Sequence, residues 1–399
     1  MNPSVSVLFL VPLAGAAAPQ SSSVLVSGYN SDTVHRVDPQ TGAFLGTLGS
    51  IPGAQSLRYG PDGHLYACSE KTNRVLQLDG QSGALLGELV ADDPLTPGDE
   101  TGGLNTPTAA VFGPDGNLYV ASFNGDRILR YDGQTGAFLD VFVPTGSGGL
   151  NGPDAGMVFG PDGDLYVPSF NNNRILRYDG QTGAFLGAFV GAGVGGLANP
   201  RALRFRGDGW LYVTSWGNSR VKRYDASGQF VDNFVTTFRP TGLAFVPGSG
   251  DLLVTNDQNN AVRRYSGVDG SLVSTLVLPN NGVLLGGTYL EYLPDPELRL
   301  DRPQPGVAGQ SNTVAIRGAT PDGALVLGVG TQPTSLFLEL CAPVYLGILD
   351  FVPVLLVADA AGEASLTAPV GAGLAGATLL FQAYDPQDCR MSNRVDQVF

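Results

Sequence analysis

The sequence predicts an all-β chain built from a repeated four-strand unit, and three observations carry that expectation. A phrase close to "SFNNNRILRYDGQTGAFLG" occurs six times, beginning at Gly28, Ser69, Ser122, Ser169, Ser215 and Asn256, at spacings of 41 to 53 residues. Most copies follow a second phrase of the type "AVFGPDGNLYVA". The chain holds 56 Gly and 28 Pro scattered between short apolar runs, which marks many turns and no sustained helix. Four short strand-like runs in a period of about 45 residues are the signature of a propeller blade.

Taken in order, the chain begins "MNPSVSVLFLVPLAGAAAPQSSS". The apolar run from Val5 to Ala18 is too short to span a bilayer and ends in small residues, as a secretory signal peptide does. Pro19 disfavours cleavage just before it, so residues 1–17 are the expected signal segment, although a basic leading region is missing. No other segment is long and apolar enough for a membrane span.

Residues 22–294 are the expected propeller. In the fourth copy "GMVFG" is the innermost strand, "DLYVPSF" the second, "RILRYD" the third and "AFLGAFV" the outermost, with turns at "PDG", "NNN" and "GQTG". Pro presets φ, Asp bonds the backbone two residues on, and Gly accepts positive φ. Asp62, Asp115, Asp162 and Asp208 are therefore read as turn formers, as are Asp79, Asp132, Asp179 and Asp225. The first copy lacks an innermost strand. "GGTYLEYLP", residues 286–294, aligns with the innermost "RPTGLAFVP" of the sixth copy and is expected to complete blade one. Closure of that kind removes free sheet edges.

The repeat then stops. Residues 295–399 hold short alternating or apolar runs and are expected to form a small β-sandwich of about seven strands, with "VADAAGEASL" as a hairpin around its Gly. In an exported chain Cys341 and Cys389 are expected to form a disulfide, leaving Cys68 as a buried thiol in a strand.

The arrangement "P…GPDG.LYV.S..N.RILRYD" resembles the NHL-repeat six-bladed propellers. It also resembles the wider superfamily that contains gluconolactonase/regucalcin-type lactonases and streptogramin-lyase-like proteins. The tail resembles C-terminal β-modules of secreted bacterial proteins, which implies a secreted, cell-surface or periplasmic location. The resemblance is specific for the fold, since these families share blades while doing different things. In the lactonases a channel metal takes Asn and Asp ligands at the start of innermost strands. The matching positions here are Gln55, Thr108, Ala155, Arg201, Thr241 and Thr288, and none is a carboxylate or Asn. A hard cation needs several convergent oxygens, so the lactonase site is absent at the positions that define it. Asp154 lies one position off and Glu291 lies in the closing strand. With Arg201 they are the channel candidates for a divergent hydrolase or lyase site.

A net charge of −14 argues against nucleic acid and anionic membranes as partners. The two histidines, His35 and His64, fall away from the channel mouth, and no zinc motif, phosphate loop or nucleophile elbow occurs. No cofactor is expected. The one place for calcium is the loop "ADDPLTPGDETGGLN", residues 91–105, with Asp92, Asp93, Asp99 and Glu100; it lacks the alternating register of a calcium loop.

Binding is the stronger expectation. The turn after each second strand begins Tyr29, Glu70, Phe123, Phe170, Trp216 and Asp257, and continues Asn30, Lys71, Asn124, Asn171, Gly217 and Gln258. Flat rings beside amides suit a protein, peptide or carbohydrate ligand, which makes Phe123, Asn124, Phe170, Asn171, Trp216 and Asp257 the candidate site. The alternative stays open that these rings wedge between blades. Third-strand arginines form two columns: Arg74, Arg127, Arg174, Arg220 and Arg36, Arg130, Arg177, Arg223, Arg264. Pairing with turn carboxylates between blades is one reading of them, a solvated rim the other. The expected function is a secreted ligand- or protein-binding scaffold, with the channel-site enzyme as the alternative.

Overall fold

The computed structural model describes residues 23–80, 82–91, 100–207, 209–246, 249–293, 299–300, 310–317, 324–330, 333–338, 344–348, 352–357, 364–369, 378–385, 390–391 and 395–398. Six four-stranded antiparallel sheets form the blades of a propeller. From the innermost strand outward, blade two is Ala54–Tyr59, Leu65–Ser69, Arg74–Leu78 and Leu85–Val90. Blade three is Pro107–Phe112, Leu118–Ser122, Arg127–Tyr131 and Phe138–Val143. Blade four is Val158–Phe159, Leu165–Ser169, Arg174–Tyr178 and Phe185–Val190. Blade five is Pro200–Phe205, Leu211–Ser215, Arg220–Tyr224 and Phe230–Thr236. Blade six is Pro240–Phe245, Leu252–Asn256, Ala261–Tyr265 and Leu272–Val277. Blade one joins Ser23–Gly28, Thr33–Val37 and Phe44–Ser50 to Gly287–Leu293, with Glu291 opposite Leu25.

Burial falls off from the axis outward. Every residue of "LYACS", "LYVAS", "LYVPS" and "LYVTS" is buried, because a second strand has blades packed on both faces. The outermost strands expose Leu85, Leu86, Phe185 and Leu186. Adjacent blades meet through a repeated ring contact near the "GPDG" turns. Tyr66 stands edge-on to Phe112, Tyr119 to Phe159, Tyr166 to Phe205 and Tyr212 to Phe245, at centroid distances of 4.8, 5.1, 4.9 and 4.9 Å. Such pairs contribute about 0.5–1.5 kcal/mol each beyond their area. Three of these tyrosines donate to the turn carboxylate of their own blade: Tyr66 to Asp62 at 2.7 Å, Tyr119 to Asp115 at 2.9 Å and Tyr166 to Asp162 at 2.8 Å.

The opposite face carries a second repeated bond between blades. The turn after each second strand ends in a left-handed residue: Asp32, Asn73, Asp126, Asn173, Ser219 or Asn260. Its side chain accepts the backbone N–H at the head of the next innermost strand. The donors are Gly53, Thr106, Gly152, Asn199, Arg239 and Gly286, at 2.8, 2.7, 2.7, 2.7, 3.3 and 2.7 Å. All six donors are themselves left-handed. Asn and Asp adopt that conformation more readily than other non-glycine residues, which explains the column. The bond from Gly286 to Asn260 joins blade six to the closing strand of blade one.

Beyond the propeller the described strands make three sheets. Ser311–Arg317 pairs with Arg299–Leu300 and Ala364–Pro369; Ala324–Gly330 pairs with Val352–Val357 and Thr378–Asp385; Pro333–Leu338 pairs with Val344–Ile348. The expected hairpin over "VADAAGEASL" is corrected: Val352–Val357 and Ala364–Pro369 pair in different sheets, so a Gly between two apolar runs did not make them partners. Cys341, Cys389 and residues 1–17 lie outside the described residues.

Asn173→Gly keeps the left-handed turn and removes the acceptor for the Asn199 N–H. It is expected to lower unfolding stability by about 1–2 kcal/mol, read as a drop in urea midpoint. An unchanged midpoint would show that the bond adds nothing.

Candidate functional site

The channel lining follows from a bulge at the head of the innermost strands. The register slips there in blades two, three, five and six, and in the closing pair of blade one. A bulge re-aims the side chains it carries. In blade four Pro168 lacks an N–H, the innermost strand shortens to Val158–Phe159, and the Asp154 N–H instead donates to the Pro168 carbonyl at 3.2 Å. Asp154 is thereby 2% exposed.

Most polar groups of this upper layer tie one blade to the next. Thr108 Oγ1 donates to the Pro153 carbonyl at 2.7 Å, Thr241 Oγ1 to Gly287 at 2.7 Å and Thr288 Oγ1 to Ala54 at 2.8 Å. Arg201 donates from Nε to Asp154 Oδ2 at 2.9 Å, and from Nη2 to Asp154 Oδ1 and Gln55 Oε1, both at 3.4 Å. Gln55 donates in turn to Glu70, which also accepts from the Tyr29 hydroxyl at 3.1 Å. Burial works against the charge on Arg201, yet the attraction of Asp154, and then of Asp257 and Glu70, holds its pKa above the ordinary value.

Below that layer one large side chain meets small ones. The residue two places before Arg58, Val111, Val158, Arg204, Ala244 and Glu291 is Ser56, Ala109, Gly156, Ala202, Gly242 or Tyr289. Tyr289 is fully buried and shares an apolar cluster with Ala155 on the opposite side of the ring. It plugs the channel. Its hydroxyl has no partner among the described residues.

Under the plug, Glu291 Oε2 accepts from Arg58 at 2.7 Å and from Arg204 at 3.3 Å. The three channel candidates therefore divide. Asp154 and Arg201 pair above Tyr289, while Glu291 is held below it by two other arginines.

The binding candidates lie on the upper face, where the turns and the connections between blades meet. Phe123, Phe170 and Trp216 are each partly buried and form a row, with centroids 6.1 and 6.0 Å apart and rings tilted by 58° and 50°. Trp216 Nε1 donates to Asp257 Oδ2 at 2.9 Å, and the Arg239 guanidinium lies 4.1 Å over its ring. The rings also contact the next blade. A Cβ at Gly152 would come within 3.0 Å of Phe123 and 2.7 Å of Asn171, so that glycine allows the close approach. Asn124 donates to Thr106 Oγ1 at 2.6 Å and Asn171 to Asn151 Oδ1 at 2.7 Å, so both amides pin inter-blade connections.

Asp62, Asp115, Asp162, Asp79, Asp132, Asp179 and Asp225 each accept from their own turns; Asp208 lies outside the described residues. Inter-blade pairing with turn carboxylates is corrected for three members of the outer arginine column. Arg130 binds Asp140, Arg177 binds Asp162 and Asp164, and Arg223 binds Asp232, all within one blade. Asp162 and Asp164 belong to the turn of the arginine's own blade and Asp140 and Asp232 to its outermost strand, whereas Arg264 binds Asp251 of its own blade and also Gln40 of blade one at 3.0 Å. Cys68 is free and buried, and burial pushes its thiol up to about 12. Asp92, Asp93 and Asp99 lie outside the described residues and Glu100 is exposed. Among the described residues no group of three His, Cys, Asp or Glu could hold a metal. None of their helices is long and apolar enough to cross a membrane.

No family model and no curated protein matches this sequence. Solved structures do. The chain is similar to the nidogen/laminin complex structure, at 16% identity over 68% of this chain and 98% of that chain, TM-score 0.53. It is similar to a protein of unknown function from Bacteroides caccae, at 15% identity over 69% and 99%, TM-score 0.53. A streptogramin B lyase overlaps over 75% and 90% at 15% identity, TM-score 0.49. The likeness to the first two shows the fold alone, a β-propeller.

Two outcomes are expected. Asp154→Asn leaves the Arg201 charge buried and is expected to cost about 3–5 kcal/mol, with Asp154→Asn/Arg201→Met recovering most of it in the same melt. An Asp154→Asn chain as stable as the parent would refute the pairing. His35 is buried, with Nε2 bonded to Thr33 at 2.8 Å, and burial pushes its pKa below the ordinary 6.5. The unfolded chain binds this proton more readily, so stability present above that pH is lost as pH falls. The urea midpoint is expected to drop less for His35→Gln than for the parent between about pH 7 and pH 5; parallel drops would remove His35 as a cause.

Proposed function

We propose that this propeller is a non-enzymatic binding scaffold that takes a protein or peptide partner on its upper face. One observation carries the reading: Phe123, Phe170 and Trp216 form a continuous, part-exposed row across three blades and end against Asp257. Aromatic rings on a rigid frame give large contact area at low entropic cost. The nidogen/laminin complex supports it at the level of fold, as a propeller in a protein assembly. The reading keeps Phe123, Phe170, Trp216 and Asp257 as contact residues. It assigns Asn124 and Asn171 to holding the surface in place.

The alternative, a hydrolase or lyase acting through Asp154, Arg201 and Glu291, requires the three to meet one substrate. Tyr289 stands between them, and each carboxylate is already engaged by guanidinium groups. An NHL-like subfamily, export of the mature chain after residues 1–17 and a β-sandwich tail with a Cys341–Cys389 disulfide complete the proposal.

The test is to pan a random peptide display library against the folded chain and measure the enriched peptides by calorimetry. Enriched peptides are expected to lose at least about 100-fold in affinity, some 2.7 kcal/mol, toward the Phe123→Ala/Phe170→Ala/Trp216→Ala variant, with a thermal melt showing that the variant, though less stable, is still folded at the assay temperature. No enrichment, or equal affinity for the variant, would overturn the reading.

A further inference from the structure

The lower end of the channel has a separate chemistry. Beneath Tyr289 lies a cavity of about 1360 Å³ opening among the "GPDG" turns. Its floor includes Arg58, Arg204 and Glu291, contributed by blades two, five and one. Both guanidiniums converge on one oxygen, Glu291 Oε2, so among the described residues two positive charges meet one negative charge there. Both are also held over the Tyr289 ring, at 5.1 and 5.0 Å, which fixes their orientation. The side chains at the same repeat position in blades three, four and six are Val111, Val158 and Ala244, so those three positions add no charge.

The rim is the reverse. Asp115, Asp162, Asp164 and Asp179 line it. Arg177 engages Asp162 and Asp164 at 2.7 and 2.6 Å, and Arg130 approaches Asp115 at 3.8 Å. Asp179 has no guanidinium in that set; the Thr182 hydroxyl and N–H hold its carboxyl below the usual range. Even with both arginines counted, the rim keeps an excess of negative charge. Phe112, Phe159 and Phe205 form apolar wall between rim and floor.

A cup with a cationic floor, an apolar wall and an anionic rim is complementary to a ligand of opposite polarity. We propose that the blind lower end of the channel binds a small zwitterion, its carboxylate on Arg58 and Arg204, its apolar body along the phenylalanines and its ammonium group at the acidic rim. Paired guanidiniums are suited to a carboxylate, which they bind with directed, charge-assisted bonds. The rim also explains selectivity, since a plain anion must pass its negative field and a plain cation meets like charge at the floor.

The experiment uses the full chain and three probes of one length: 6-aminohexanoate, hexanoate and hexylamine, titrated by calorimetry at low salt. Saturable binding is expected for 6-aminohexanoate, with each singly charged probe at least about tenfold weaker. Arg204→Ala is expected to weaken 6-aminohexanoate by at least about tenfold, and Glu291→Gln to strengthen it by removing the competing carboxylate. Thermal melts check that both variants fold. The Phe123→Ala/Phe170→Ala/Trp216→Ala variant, altered on the other face, is expected to bind the probe as the parent does. Absence of saturable binding, equal binding of the three probes, or a weaker Glu291→Gln complex would overturn the proposal.

Discussion

The bond from the head of each innermost strand to the last residue of the preceding turn is the constraint on which this propeller depends. It sits where two left-handed residues face each other, one donating a backbone N–H and one accepting through its side chain. Neither backbone shape is cheap for a non-glycine residue, and Thr106, Asn199 and Arg239 adopt it nonetheless. The bond fixes three things at once. It sets where the next innermost strand begins, it holds the upper-face turn against the connection, and through Asn260 and Gly286 it seats the strand that then closes the ring by pairing with Ser23–Gly28.

From that anchor the channel acquires its layers. Outside blade four, each innermost strand starts at the bond, bulges, and only then pairs in register, so its first side chains turn inward. Threonines there are consumed in bonds between neighbours, and Arg201 is consumed by Asp154. The next layer admits one tyrosine because its five counterparts are Ser, Ala or Gly. Tyr289 then makes the channel two blind ends rather than a bore. The upper end is closed by paired groups and ringed by aromatics; the lower end is an open cup.

Much of this is legible in the sequence. The six-fold phrase, the four strands per unit and the turn-forming aspartates follow from local rules, because φ preferences and short-range side-chain bonds need no tertiary knowledge. The last turn residues, Asp32, Asn73, Asp126, Asn173, Ser219 and Asn260, were visible as a column of short polar side chains; what hid was the partner, a backbone N–H with no sequence signature. Glu291 read as a companion of Asp154 because both are acids of innermost strands, although its repeat position, three residues past Thr288, already put it at a lower level. Arg58 and Arg204 were missed, though a charged residue replacing Val or Ala at one repeat position was the available signal. Phe123 and Phe170 looked exposed in isolation, and Gly152 in the next blade is what lets Phe123 lie down.

Backbone hydrogen exchange at Gly53, Thr106, Gly152, Asn199, Arg239 and Gly286 is the most direct measurement of whether these bonds hold the ring as one unit. Loop amides without such partners exchange fast, whereas amides released only by global opening share one slow rate. The expected result is slow exchange at all six, within about tenfold of one another and of the second strands. Fast exchange at Gly286 alone would mean that the closing strand is not seated on blade six, and fast exchange at all six would contradict the bond as the organising constraint of the ring.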